Sequence, residues 1–201
     1  TGGHGVLRPG DVQWMTAGRG VMHSEMPHQD ETAHTLQLWL NLPARMKMIP
    51  ARYADQPLAT VPVRRADGAT VLVYAGRSGA VAHPHGSDWP MTLLDLRLEA
   101  GASFEQEVPA DHRAFLYVIE GRGRVGASGT EVEAGRVAWS DPTGPGGDDL
   151  LAFSAESGFR ALLFSGPPIE EPVAFGGPFV MNTQEEIRQA FLDYQSGRFL
   201  A

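Results

Sequence analysis

His23 and Glu25 are the residues whose types and spacing best suit chemistry. They stand in Gly20-Val21-Met22-His23-Ser24-Glu25, behind Gly10-Asp11-Val12-Gln13-Trp14-Met15-Thr16-Ala17-Gly18. That longer stretch reads as a strand running into a glycine turn, after which the chain returns. Residues two apart on a strand face the same side. A returning strand would therefore turn one imidazole and one carboxylate into the same barrel interior. One nitrogen and one oxygen donor make half of a mononuclear centre, since a transition metal takes three or four protein ligands. The same two residues also read as an exposed or hydrogen-bonded pair near a strand end, because His-x-Glu is a common spacing.

Other histidines compete for the role. His83-Pro84-His85 is a His-x-His, but proline is awkward in a central strand, and Gly86-Ser87-Asp88 follows as a loop. An exposed loop is the plainer reading. His112, in Pro109-Ala110-Asp111-His112-Arg113, is a further possible ligand, but the partners expected for it are absent. His4, His28 and His34 read as surface or loop histidines. Trp14 and Met15 read as core packing, and Gln13 and Arg19 as turn or sheet hydrogen-bonding groups that could sit at a pocket mouth.

The elements that must position these residues are short strands. Thr35 to Leu42 and Met91 to Leu98 alternate as half-buried strands do. Thr70–Tyr74, Ala114–Ile119, Arg122–Gly126, Arg136–Trp139, Leu150–Phe153 and Phe159–Phe164 add more, with Asp67-Gly68, Glu120-Gly121 and Ser128-Gly129 as turns. Many short strands between Gly and Pro signals favour a sandwich or barrel. Pro43, Pro50, Pro57 and Pro62 mark an inter-domain connection, and 141–149 reads as a surface loop. One helix is expected from Thr183 to Gln195. Thr183-Gln184-Glu185-Glu186 is a capping box; Ile187, Ala190, Phe191 and Tyr194 fall on one face; Gly197 suits the left-handed position past its end. Leu7-Arg8-Pro9-Gly10-Asp11-Val12-Gln13-Trp14 also parallels Val132-Glu133-Ala134-Gly135-Arg136-Val137-Ala138-Trp139, as a duplicated β unit would.

Composition bounds the partners. The 201 residues carry 42% hydrophobic and 20% charged side chains and a net charge of −8, with pI near 5.3. A packed core is feasible, and no basic face for direct nucleic-acid binding is indicated. With no cysteines, no disulfide framework or thiolate site exists. No apolar run approaches the ~18 residues of a membrane span, and the opening residues do not read as the basic-then-apolar pattern of a signal peptide. The expectation is a cytoplasmic protein. Thr1-Gly2-Gly3-His4-Gly5 has no initiator methionine and reads like the middle of a domain, so residues upstream are expected.

The run Pro9-Gly10-Asp11-Val12-Gln13-Trp14-Met15-Thr16-Ala17-Gly18, with His23-Ser24-Glu25-Met26-Pro27, resembles the signature of the pirin family in the cupin superfamily. Gly177-Pro178-Phe179-Val180-Met181-Asn182-Thr183, Glu185-Glu186-Ile187 and Asp193-Tyr194-Gln195-Ser196-Gly197 resemble the pirin C-terminus. The two ends bracket nearly the whole chain. The resemblance implies an all-β bicupin, two double-stranded β-barrels face to face with a short C-terminal helix. Residues 1–52 would be the remainder of an N-terminal barrel, incomplete here, and 53–201 a degenerate, metal-free C-terminal barrel with the helix.

The resemblance also implies a site. The family's N-terminal barrel holds iron, or another divalent transition metal, with three histidines and one glutamate. The last of those histidines and the glutamate match His23 and Glu25. The other two come as a His-x-His followed by Arg-Gly on an earlier strand, which Thr1 onward does not contain. The activity implied is that of a quercetin 2,3-dioxygenase, in which a flavonol-like substrate and O2 meet at an open metal, Glu25 acting as ligand and base. The alternative is a non-enzymatic regulator whose metal state shapes a surface for a partner protein; a metal-free structural double barrel is the third reading. Iron is expected to be held weakly or not at all by this chain, and the chain to be inactive as it stands.

Overall fold

The computed structural model describes residues 3–27, 32–85, 87–140 and 149–200. They fall into two compact units, residues 1–58 with 169–201 and residues 59–168. The grouping sets the C-terminal helix with the N-terminal segment, where the sequence reading set it with residues 53–201.

The first unit opens with β1 (Val12–Thr16), which pairs antiparallel with β2 (Arg52–Gln56), from Val12 opposite Gln56 to Thr16 opposite Arg52. This corrects the reading of Pro43 to Pro62 as connection only. Pro50 and Pro57 flank β2 without interrupting it, where a missing N–H costs no ladder bond. Two 3-10 turns, Ala44–Met46 and Leu58–Thr60, take up the remainder. A second correction concerns Thr35 to Leu42, which alternates but forms no strand. No strand pairs with it among the described residues, and an unpaired strand gains nothing over solvated backbone. Its apolar side chains from Leu36 to Leu40 stay exposed, Trp39 at 61% and Leu36 at 50%.

The second unit holds β3 (Val63–Ala66), β4 (Ala69–Ala75), β5 (Arg77–Ser78), β6 (Val81–Ala82), β7 (Thr92–Leu98), β8 (Ser103–Val108), β9 (Arg113–Glu120), β10 (Arg122–Val125), β11 (Thr130–Glu133), β12 (Val137–Trp139), β13 (Asp149–Ala155) and β14 (Phe159–Gly166). Two antiparallel sheets result, of order β12-β9-β14-β7-β4-β3 and β11-β10-β13-β8, with the β5–β6 pair beside them. Alternation decides which side faces in. In β8, Phe104, Gln106 and Val108 are buried while Ser103, Glu105 and Glu107 are exposed. Val71, Leu94, Leu96, Leu116, Val118 and Leu163 fill the core from the larger sheet. Gln106 is the polar member of this interior. It accepts from Ser78 Oγ at 2.6 Å and donates to the Glu107 carbonyl at 2.8 Å, so its burial is compensated. The strands therefore make a core of two packed sheets.

The sequence parallel has a geometric counterpart. Gly10 and Gly135 both carry positive φ, 89° and 81°, ahead of the strands that hold Trp14 and Trp139.

The chain re-enters the first unit through β15 (Ala174–Gly176), paired with β16 (Phe179–Met181), and ends in α1 (Gln184–Gln195). Both arms of the expected capping box are present. Thr183 Oγ1 accepts from Glu186 N at 3.2 Å, and Glu186 Oε2 accepts from Thr183 N at 2.8 Å. Ile187 is the fully buried residue of the helix, and Asn182 Nδ2 reaches Glu171 Oε2 at 3.1 Å. Lys47 is buried in the same unit, its Nζ donating to Asn41 Oδ1 at 2.6 Å. Burial pushes its pKa down, against the pull of Glu171 and Glu186. No helix among the described residues is long and apolar enough to cross a membrane.

The cap yields two expectations. Thr183→Ala should cost about 1 kcal/mol in chemical denaturation, the usual worth of such a cap. The Glu186 carboxyl is held below its ordinary value, first by the Thr183 hydroxyl, and Asp11 below its own, first by the Leu58 amide. A carboxylate depressed in the fold stabilises above its unfolded pKa, and that contribution is lost as pH falls through the folded one. Stability should therefore decline on acidification through the carboxylate range, less steeply in Glu186→Gln. A pH profile of denaturation midpoints measures both.

Candidate functional site

The candidate site is presented by the segment that leaves β1. Asp11 anchors the start of the strand, accepting from Arg8 N at 2.9 Å and Leu58 N at 2.8 Å. Gln13 Nε2 donates to Asp55 Oδ1 at 2.7 Å and Trp14 Nε1 to Gln56 Oε1 at 3.1 Å, so both side chains serve the β1–β2 ladder. The chain then turns over Ala17 to Gly20. Arg19 N donates to the Ile49 carbonyl at 3.0 Å and Gly20 N to the Ala17 carbonyl at 2.9 Å. Gly18 sits at φ 52°, and a Cβ there would lie 2.0 Å from Ile49 O, so only glycine fits.

Beyond the turn, His23 and Glu25 do not lie on a returning strand, because residues 21–27 form no ladder. The two side chains nonetheless converge. His23 Nδ1 is 3.7 Å from Glu25 Oε1, with side-chain exposures of 40% and 60%. Gln37 Nε2 approaches Glu25 Oε1 at 3.5 Å. Gln37 did not figure among the candidate residues. Its only signal was a polar position inside the alternating run from Thr35 to Leu42.

A nitrogen and an oxygen at this separation could both face one cation, and partial exposure leaves room for one. The donor set is incomplete, however. Among the described residues no three histidines or carboxylates are grouped to hold a metal ion. The pair thus fits as half of a mononuclear shell and does not by itself make one.

The other histidines are placed elsewhere. His83 Nδ1 lies 2.8 Å from the carbonyl of His85, and the two rings stand edge to face at 5.8 Å. His112 is half-buried in the second unit, its Nδ1 3.4 Å from Ser165 Oγ. His4 and His34 are exposed. His28, and most of the expected loop at 141–149, lie outside the described residues.

Comparison with known proteins identifies the family. The family described as Pirin matches residues 1–40, and the pirin C-terminal cupin domain matches residues 93–200. A pirin-like protein of Solanum lycopersicum is 41% identical over 98% of this chain and 67% of its own length. Human pirin is 37% identical over 98% of this chain and 68% of its own. The solved structure of a quercetin 2,3-dioxygenase from Acinetobacter baumannii superposes with a TM-score of 0.84 at 29% identity, covering all of this chain and 70% of that one. Signature, sheet arrangement, terminal helix and relatives agree, and the chain belongs to the pirin family of cupins.

Proposed function

We propose that His23 and Glu25 are two donors of a mononuclear metal centre, iron or a similar divalent ion, in an oxygenase of the quercetin 2,3-dioxygenase type. The observation that carries this reading is their convergence to 3.7 Å on the segment following the pirin signature. The Acinetobacter neighbour, a quercetin 2,3-dioxygenase, suggests the reaction class, with a flavonol-like molecule and O2 as reactants. A bound metal would supply Lewis acidity toward an enolic hydroxyl and a route for electrons to O2.

This chain's own residues have narrower tasks. His23 contributes a neutral nitrogen donor. Glu25 contributes a carboxylate that can also take a proton, and Gln37, within 3.5 Å of it, orients the oxygen that faces His23. The division into cupin halves at 52/53 belongs to the same reading, the metal-binding half being the first.

Titration with Co(II) tests the donors directly. With two ligands the chain should bind weakly, since each missing donor must be replaced by water. His23→Ala should remove the remaining binding, and the fold should survive because the side chain is partly exposed. Tight stoichiometric binding that persists in His23→Ala would overturn the assignment.

A further inference from the structure

The last residues of the chain reach the turn that presents His23. After α1 the backbone stops in a Schellman arrangement: Gly197 at φ 75° donates to the Tyr194 carbonyl at 3.2 Å, and Arg198 N donates to the Asp193 carbonyl at 2.9 Å. Arg198 Nη2 also meets Asp193 Oδ1 at 3.3 Å. This reversal aims Phe199 back into the unit. Its ring packs beside Phe179, centroids 5.5 Å apart, and Tyr194, at 5.9 Å. The far edge of the ring closes on Gly20. A Cβ built there would lie 2.8 Å from Phe199 Cζ and 2.9 Å from Cε1.

Gly20 is a demanding position for a second reason. Its φ of 148° is one that side-chain-bearing residues rarely adopt. Glycine here gives the turn its path and leaves a surface flat enough for an aromatic ring. The turn is thus held from two sides, by the Ile49 carbonyl bonded to Arg19 N and by the Phe199 ring on Gly20. Residues 21–27, which follow, have no ladder of their own to order them. The backbone attachment of His23 at Gly20 is therefore one of its holds, beside the side-chain contacts of Glu25 with His23 and Gln37.

We propose that Phe199 is a positioning residue: the C-terminal tail closes over Gly20 and fixes the turn from which His23 is presented. The inference rests on the reading of His23 as a metal donor, but its first consequence is independent of any metal. Removing the ring should free the turn in the apo protein, whereas a tail that merely completes the aromatic cluster would leave the turn unchanged.

Hydrogen exchange and NMR relaxation on the complete 201-residue chain decide it. In Phe199→Ala, exchange of the Arg19 and Gly20 amides should accelerate by about tenfold or more, as local opening becomes easier, and the backbone of 21–25 should lose order. Far-UV signal from α1 should persist. Phe199→Tyr, which keeps the ring, should restore wild-type exchange. Phe191→Ala is the control: that ring packs on Phe179 at 5.0 Å, and its loss should leave Arg19 and Gly20 at wild-type rates. Gly20→Ala should reproduce the Phe199→Ala phenotype from the opposite face. In a Co(II) titration, line broadening at His23 should need severalfold more metal in Phe199→Ala than in wild type. Unchanged exchange at Arg19 and Gly20 in Phe199→Ala overturns the proposal. So does faster exchange there with undiminished order at 21–25. A wild-type His23 that ignores Co(II) sinks the metal reading alone, because the exchange measurements still decide the role of Phe199.

Discussion

Asp95→Ala is expected to destabilise the protein by roughly 3 kcal/mol in chemical denaturation, at the lower end of the range for breaking a buried ion pair. Asp95 lies on β7 with its side chain 1% exposed, between Leu72 of β4 and Leu162 of β14. Its carboxylate holds two guanidiniums: Arg97 Nη2 at 2.8 Å and Arg160 Nη2 at 2.9 Å, each with its Nε close by. Arg97 and Arg160 stand directly opposite each other across β7 and β14. Like charges in that relation repel, and Asp95 is what makes the pairing tolerable. Alanine would leave them facing each other with nothing between. The arginines are 44% and 32% exposed, so water can recover part of the loss, which sets the estimate low in the range. Asp95→Asn keeps the shape and some hydrogen bonds and should cost about half as much. A change within ~0.5 kcal/mol for Asp95→Ala, the size of an ordinary surface substitution, would mean the cluster is neutral to folding.

Asp95 also shows how far the sequence could be read. Met91 to Leu98 was recognisable as a strand by its alternation, and β7 lies there. The alternation implied a polar, wet face for Asp95 and Arg97. The structure buries Asp95 and leaves only Arg97 exposed, with a second arginine, 65 positions away on β14, joining Arg97 on this carboxylate. No local pattern encodes that partnership. The capping box of α1 was legible for the opposite reason: all its atoms lie within four consecutive residues, and propensity and hydrogen bonding point the same way. Thr35 to Leu42 marks the converse failure. Its alternation is as good as that of β7, but a strand is a property of two segments, and no neighbour pairs with it among the described residues.

The candidate site divides along the same line. His23 and Glu25 could be picked out because they are two apart and follow a recognisable signature. The wrong step was to put them on a strand; irregular backbone achieves the same convergence. Gln37, twelve residues beyond Glu25, and Phe199, at the far end of the chain, were not visible, since their roles exist only once the fold brings them to that segment.

Oxygen consumption with quercetin is expected to stay at background for this chain, and to rise when the donor set is completed. Oxygenase chemistry needs a metal whose protein ligands fix some positions while others stay open. Two donors that are 40% and 60% exposed neither fix that geometry nor keep water from the reacting centre. The chain spans about two thirds of the Solanum relative. A chimera supplying the part of that relative outside the match is therefore the natural partner experiment. It should hold metal far more tightly than this chain and consume oxygen with quercetin. Glu25→Gln in the chimera should reduce turnover by about a hundredfold or more, the usual scale for losing a general base, because an amide is a poorer donor and cannot accept the proton. Equal activity in all three proteins would place the chemistry away from His23 and Glu25. A chimera that binds metal through His23 yet leaves oxygen untouched would shift the weight to a regulator whose metal shapes a surface for another protein. In that case Glu25→Gln should still weaken metal binding, which separates a ligand with no reaction to serve from a residue that was never a ligand.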